Sequence, residues 1–171
     1  MRSGARTVAN DRRPPRFRLA LLLAGTTWLI VPSPSAAQPA AEAAVSQVLS
    51  ELHDLVNAHR RSAGCEALQW HEATAVVAER HSKDMSQRDY FEHLTPEGID
   101  LYRRLIVGGV RWRGSIAENI ALTTQGPEIV VELWMDSPPH RANIEDCTFT
   151  HHGLGLYRDH WTQVLVERPQ G

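Results

Sequence analysis

The stretch Trp134-Met135-Asp136-Ser137-Pro138-Pro139-His140-Arg141-Ala142-Asn143-Ile144 organises the reading of the whole chain. Ser137 is a favoured helix N-cap, because its hydroxyl can accept a hydrogen bond from a backbone N–H two or three residues on. Pro138 and Pro139 have no N–H to donate, and proline is best tolerated at the first helical position. The stretch therefore predicts a helix ending near Asp136 and a new short helix with His140 in its first turn. A histidine behind so stiff a start has little freedom, which suits a ligand or a proton carrier. Two other segments read as built to meet it: Tyr90-Phe91-Glu92-His93-Leu94-Thr95-Pro96 and Ala117-Glu118-Asn119-Ile120-Ala121.

Working outward, the chain of 171 residues holds about one domain once its ends are set aside. Residues 1–37 carry six arginines and one acid, then an apolar run from Leu19 to Val31, then Ser35-Ala36-Ala37. That order predicts a secretory signal peptide cleaved after about Ala37. Gly25, Thr26 and Thr27 interrupt the apolar run, which is short for a membrane span; an uncleaved anchor is the alternative. Arg12-Arg13, followed by two prolines, is a poor twin-arginine signal, so general export is expected. Residues 38–46 read as a linker rich in Pro, Ala and Ser, and 47–168 as the domain. The destination is secreted or periplasmic.

Export changes the charge balance. Removing six of 18 basic and one of 20 acidic residues leaves 12 against 19, a net charge near −7. Such a domain, with one lysine and no basic run, argues against nucleic acid and against anionic lipid headgroups. It also predicts no stable membrane insertion after cleavage. The two cysteines, Cys65 and Cys147, form an even pair in an exported chain and read as a disulfide. The alternative is two free thiols or one nucleophile, but neither sits where its pKa would be lowered.

Helical spacing begins at Val45 and continues through Val48, Leu49, Leu52, Leu55, Val56 and, more weakly, His59. A second helix is expected over about His71 to Arg88, with Ala73, Val76, Val77, His81 and Met85 inward. His71 and His81 read as packing or surface residues. His71-Glu72 starts like a zinc-protease helix, but Ala75 stands where the second ligand belongs. A short helix through Leu101 and Leu105 ends at Gly108-Gly109, with Arg103 and Arg104 on a solvated face. Glu118 to Ala121 is expected in a loop or short strand, and Gly126-Pro127-Glu128 opens a helix. Trp134 and Trp161 read as core, and His151 and His152 as surface or strand-start residues. Residues His152 to Tyr157 and Trp161 to Val166 read as a β-hairpin about Arg158-Asp159-His160. Helices first and strands last predict an α+β domain with an antiparallel sheet.

Four motifs occur in order: Tyr90-Phe91-x-His93 with Thr95-Pro96-x-Gly98; Glu118-Asn119-Ile120-Ala121; Trp134-Met135-x-Ser137-Pro138-x-His140-Arg141-x-Asn143-Ile144; and Gly153-x-Gly155. Together they resemble the bacterial SCP-like branch of the CAP superfamily, which comprises cysteine-rich secretory proteins, antigen 5 and pathogenesis-related 1 proteins. The resemblance runs from about Leu49 to Val166. It implies a three-layer α-β-α sandwich with a central antiparallel sheet, and a cleft where two histidines and acidic residues converge and hold a divalent metal, often zinc. His93, Glu118 and His140 match those cleft positions, and members with cysteines at the positions of Cys65 and Cys147 bridge them. Two departures stand out. Ala117 replaces the usual glycine, and Ser137 stands where eukaryotic members carry the fourth cleft residue, a glutamate; Asp136 and Glu132 are the nearby substitutes.

Neutral imidazoles are good zinc ligands, and two histidines plus a carboxylate leave an open position for water. In that reading His93 and His140 are metal ligands, and Glu118 is third ligand or proton acceptor; all three are the candidate catalytic residues. Three readings follow. The first is an exported binding module holding a divalent metal and an extracellular lipid, sterol, glycan or protein. The second is a metal-assisted peptidase or esterase using the same cleft. The third is a structural envelope protein in which His93, Glu118 and His140 only pin loops together. Ser137 is accounted for by capping, and Asn119 and Asn143 by hydrogen bonds to loop backbones.

Overall fold

The structure, a computed structural model, describes residues 37–170. The segment read as an export signal lies outside the described residues apart from Ala37. Helix α1 spans Ala37–Ser62, so residues 38–46, expected as a linker, are helical. Alanine-rich sequence has the highest helix propensity, and Pro39 falls in the first turn, where proline does least harm. The buried side of α1 follows the expected stripe at Leu52 and Val56, with Val48, Leu49 and Leu55 partly buried against the core, but Val45 and His59 are exposed and Asn57 and Arg60 are buried beside it. Arg60 is tolerated there because its guanidinium donates to the carbonyls of Glu66, Ile144, Asp146 and Phe149 at 2.7–3.0 Å.

After α1 come β1 (Gln69–Trp70), α2 (Glu72–Arg88), α3 (Leu101–Val107) and β2 (Arg111–Leu122). They are followed by α4 (Pro127–Asp136), α5 (Pro138–Glu145), β3 (His151–Tyr157) and β4 (His160–Gln170). The segment holding Glu118, expected as a loop or short strand, is thus part of a strand, and a longer one of 12 residues. The sheet order is β1-β3-β4-β2. The three long strands are antiparallel, as the alternating tail predicts, and the two-residue β1 adds a parallel edge to β3.

Helices cover both faces and complete the α-β-α sandwich of an α+β domain. On one face α2 and α3 enclose Val77, Ala78, Leu105, Val110, Val164 and Val166. On the other, α1, α4 and α5 enclose Leu52, Val56, Trp134, Ile144, Leu154, Trp161 and Leu165. Alternation along β4 sends Val164 and Val166 to the first layer and Leu165 to the second. Gly153 and Gly155 set the closeness of α2. A Cβ at Gly153 would lie 2.1 Å from the Ala75 nitrogen, and one at Gly155 2.2 Å from the Glu79 nitrogen. Cys65 and Cys147 are bridged, with a Cα–Cα distance of 5.0 Å. The bridge fastens the chain after α1 to the chain after α5.

Candidate functional site

The expected cleft lies along β2, at the edge of the sheet. His93 sits in the loop between α2 and α3, Glu118 on β2, and His140 in the first turn of α5. The loop carrying His93 is fastened at several points. The Tyr90 hydroxyl donates to Asp84 Oδ2 at 2.5 Å. Gly98, at φ +76°, closes a turn by donating its N–H to the Thr95 carbonyl at 2.7 Å. The His81 ring meets the Glu92 carbonyl at 3.2 Å, and Arg104 donates to the carbonyls of His93 (2.8 Å) and Ile99 (3.2 Å).

Glu118 is buried, and both its oxygens are engaged. Oε1 accepts from His93 Nδ1 at 2.9 Å, and Oε2 accepts from Arg104 Nη2 at 2.5 Å. His81 Nε2 is 3.7 Å from Oε1. A neutral His93 that donates through Nδ1 carries its lone pair on Nε2, and its side chain is half exposed. The carboxylate thereby orients the imidazole, the role that outer carboxylates play behind metal-bound histidines.

The rings of His93 and His140 are 6.3 Å apart between centroids and tilted by 54°. Burial, and then the neighbouring His93, hold the His140 pKa below the usual histidine value. His140 is accordingly neutral at pH 7, the state in which imidazole binds a metal. The corner carrying His140 is tied to β2 by its own motif. Asn119 Nδ2 donates to the His140 carbonyl (3.3 Å), and Asn143 Nδ2 to Asn119 Oδ1 (2.8 Å) and the Glu118 carbonyl (3.4 Å). The Trp134 indole donates to the Ile120 carbonyl at 3.0 Å.

Several sequence expectations are corrected. Ser137 occupies the N-cap of α5, but its side chain makes no cap hydrogen bond; its carbonyl instead receives the Arg141 N–H at 2.9 Å. Arg104 is not on a solvated face. Its spacing of three from Leu101, beside Leu105, was the available signal that it points inward. His81, in contrast, is buried in the α2 stripe as expected, and its ring lies 3.7 Å from the Glu118 carboxylate. His152 is not a surface residue; it is fully buried, accepting from Gln163 Nε2 at 3.0 Å and meeting His53 Nδ1 at 2.7 Å. Gln163 in turn accepts from Asn119 at 2.9 Å, so a polar chain runs from the cleft floor through the core to His53. Glu132 and Asp136 are exposed on α4 and take part in none of the hydrogen bonds around His93, Glu118 and His140.

Among the described residues, no group of three or more His, Cys, Asp or Glu side chains is arranged to hold a metal ion. The cleft offers two imidazoles, those of His93 and His140, one fewer than the three protein ligands a catalytic zinc ordinarily has.

The pattern of the Cysteine-rich secretory protein family (CAP) matches residues 53–166. Two Bacillus subtilis proteins are similar in sequence. The uncharacterized membrane protein YlbC is 35% identical over 118 residues, covering 69% of this chain and 34% of its own length. The uncharacterized protein YkwD is 34% identical over 128 residues, covering 74% and 49%. The chain thus spans between a third and a half of these relatives. Among solved structures, an extracellular protein containing a SCP domain from Bacillus anthracis is 34% identical, with a TM-score of 0.67, covering 70% of this chain and 40% of that one. An outer surface protein from Borrelia burgdorferi shares the fold at 15% identity and a TM-score of 0.63, covering 71% and 93%.

Proposed function

The chain belongs to the cysteine-rich secretory protein family, and on that premise we propose that it is an extracytoplasmic binding protein whose cleft takes a divalent metal, zinc in the first instance, on His93 Nε2 and His140. The observation that carries this reading is the contact of His93 Nδ1 with Glu118 at 2.9 Å, which leaves Nε2 free and directed by a buried carboxylate. Glu118 acts behind the ligands rather than as one of them, since Arg104 and His93 occupy its two oxygens.

A metal bound there supplies a Lewis acid that polarises a ligand oxygen. The protein's own share is to hold the two imidazoles in place. Phe91 and Leu94, on the loop that carries His93, are exposed apolar side chains that could meet the nonpolar part of a lipid, sterol, glycan or protein ligand. An extracytoplasmic setting agrees with the extracellular and outer-surface structures the chain resembles. No helix among the described residues is long and apolar enough to cross a membrane. The hydrolase reading requires Glu118 to accept a proton while Arg104 holds it; the binding reading requires no such release.

The test is calorimetric titration of zinc into the purified exported protein after dialysis against chelator. One site is expected in the wild type and none in the His93→Ala, His140→Ala double variant. Absence of binding in the wild type, or equal binding in the double variant, overturns the reading.

A further inference from the structure

Strand β1 covers only the first residues of β3, pairing Gln69 with His151 and Trp70 with His152. The chain then leaves the sheet: the His71 N–H donates to the His152 carbonyl at 2.9 Å, and α2 begins at Glu72. Backbone groups of successive strand residues point to opposite sides. Those of Leu154 and Leu156 therefore point the same way as the His152 carbonyl, away from β4. Among the described residues no backbone partner meets them there, so β3 has an open edge from Gly153 to Tyr157. Both leucines line a groove of about 930 Å³. Helix α1 forms one wall, with Val45 and Leu49, and α2 the other, with Glu72, Val76 and Glu79. These helices lie in opposite layers of the sandwich, so the groove sits at the level of the sheet, where a next strand belongs.

We propose that this groove takes an extended peptide of alternating apolar and basic residues, which adds to the sheet as a strand beside Gly153–Tyr157. An open strand edge is a template for backbone pairing, and strand addition is a recurring mode of peptide recognition. The open edge is roughly 16 Å long at about 3.3 Å per residue. A strand laid there turns alternate side chains to α1 and to α2. The α1 wall offers Val45, 39% exposed, and Leu49; the α2 wall offers the exposed carboxylates of Glu72 and Glu79. Of the Asp, Glu, Lys and Arg side chains lining the groove, Glu42, Glu72 and Glu79 are acidic and Arg158 alone is basic, so the rim favours a cationic occupant. A second copy pairing antiparallel through the same edge would bring α2 against α2, with acids facing acids. The strand order β1-β3-β4-β2 puts this edge opposite the one that carries the metal cleft.

The experiment is calorimetric titration of the purified exported protein with a short capped peptide of alternating valine and lysine. Binding is expected for it and not for the same peptide with glutamate in place of lysine. Amide exchange at Leu154 and Leu156, read by NMR, should slow about tenfold at saturating peptide, because their N–H groups gain partners. Two further peptides carry N-methyl groups on every valine or on every lysine. Only one of the two should lose binding, since a strand turns alternate N–H groups to its neighbour. Glu79→Lys, on the exposed side of α2, should weaken binding about fivefold while its zinc titration matches wild type. Equal binding of the lysine and glutamate peptides, binding of neither, or exchange unchanged at both leucines would overturn the proposal. Exchange at those amides that slows with protein concentration alone, without peptide binding, would overturn it in favour of a second copy of the chain.

Discussion

The Trp134 indole N–H donates to the carbonyl of Ile120 at 3.0 Å. Ile120 lies on β2, the edge strand of the sheet, where backbone groups have no further strand to pair with. Asn143 reaches the Glu118 carbonyl two residues earlier. The tryptophan and asparagine of one motif thus cover the outer edge of the strand that carries Glu118. His140, between them in sequence, is delivered to the same place.

Trp134→Phe keeps most of the apolar volume and removes the donor. The buried Ile120 carbonyl loses its partner, and a small cavity opens beside Ile144 and Val130. Urea denaturation should show a loss of about 3 kcal/mol. A loss below about 1 kcal/mol would mean that the edge carbonyl finds another donor.

Glu118→Gln should act on metal affinity more than on the fold. An amide can still accept from Arg104 or His93, but it no longer supplies the negative charge behind the imidazole. Zinc affinity should fall about 10- to 100-fold. Arg104→Ala is the harsher change, because it leaves the Glu118 carboxylate, only 3% exposed, without its guanidinium. That variant should lose about 3 kcal/mol of stability. Unchanged zinc affinity in Glu118→Gln would show that the carboxylate does not govern His93.

The Cys65–Cys147 bridge spans 82 residues of sequence. Chain-entropy reasoning gives such a loop about 4 kcal/mol, so Cys65→Ser with Cys147→Ser should lower the Tm sharply. Wild type in reductant should melt with the double variant.

The order of elements and the antiparallel hairpin were legible in the sequence because each rests on local pattern, period and turn residues. The convergence of His93, Glu118 and His140 was implied by the family resemblance, and the structure brings His93 against Glu118 and its ring within 6.3 Å of the His140 ring. The polar interior was not. Arg60 and His152 look like surface residues by composition, and only the fold supplies the four carbonyls around one and the Gln163 and His53 contacts around the other. Arg104 was hidden for the same reason: an arginine on a short helix reads as solvated until its carboxylate partner, 14 residues away, is placed beside it. The start of α1 failed differently. Pro, Ala and Ser near a cleavage site read as a linker, yet alanine is the strongest helix former and Ala40 to Ala44 continue a helix already held further on.

His152 makes acid sensitivity a consequence of the buried chain. Burial first, then the nearby His53, Arg60 and His151, push its pKa from 6.5 down to about 3. Between those values the unfolded chain binds a proton that the folded chain refuses, so stability rises with pH across the window. It is fully present above 6.5 and lost as pH falls toward about 3, at up to about 1.4 kcal/mol per unit for one histidine. His53, His81, His140 and His151 also have lowered values, each chiefly through burial, and steepen the same trend. His152→Gln keeps a donor and an acceptor in the core but cannot titrate. Urea denaturation from pH 7 to pH 4 should therefore show a slope about one proton shallower than wild type, even though the variant starts less stable at pH 7. Identical slopes would mean that His152 takes up its proton without unfolding, through an opening of the α1 side that lets water reach His53.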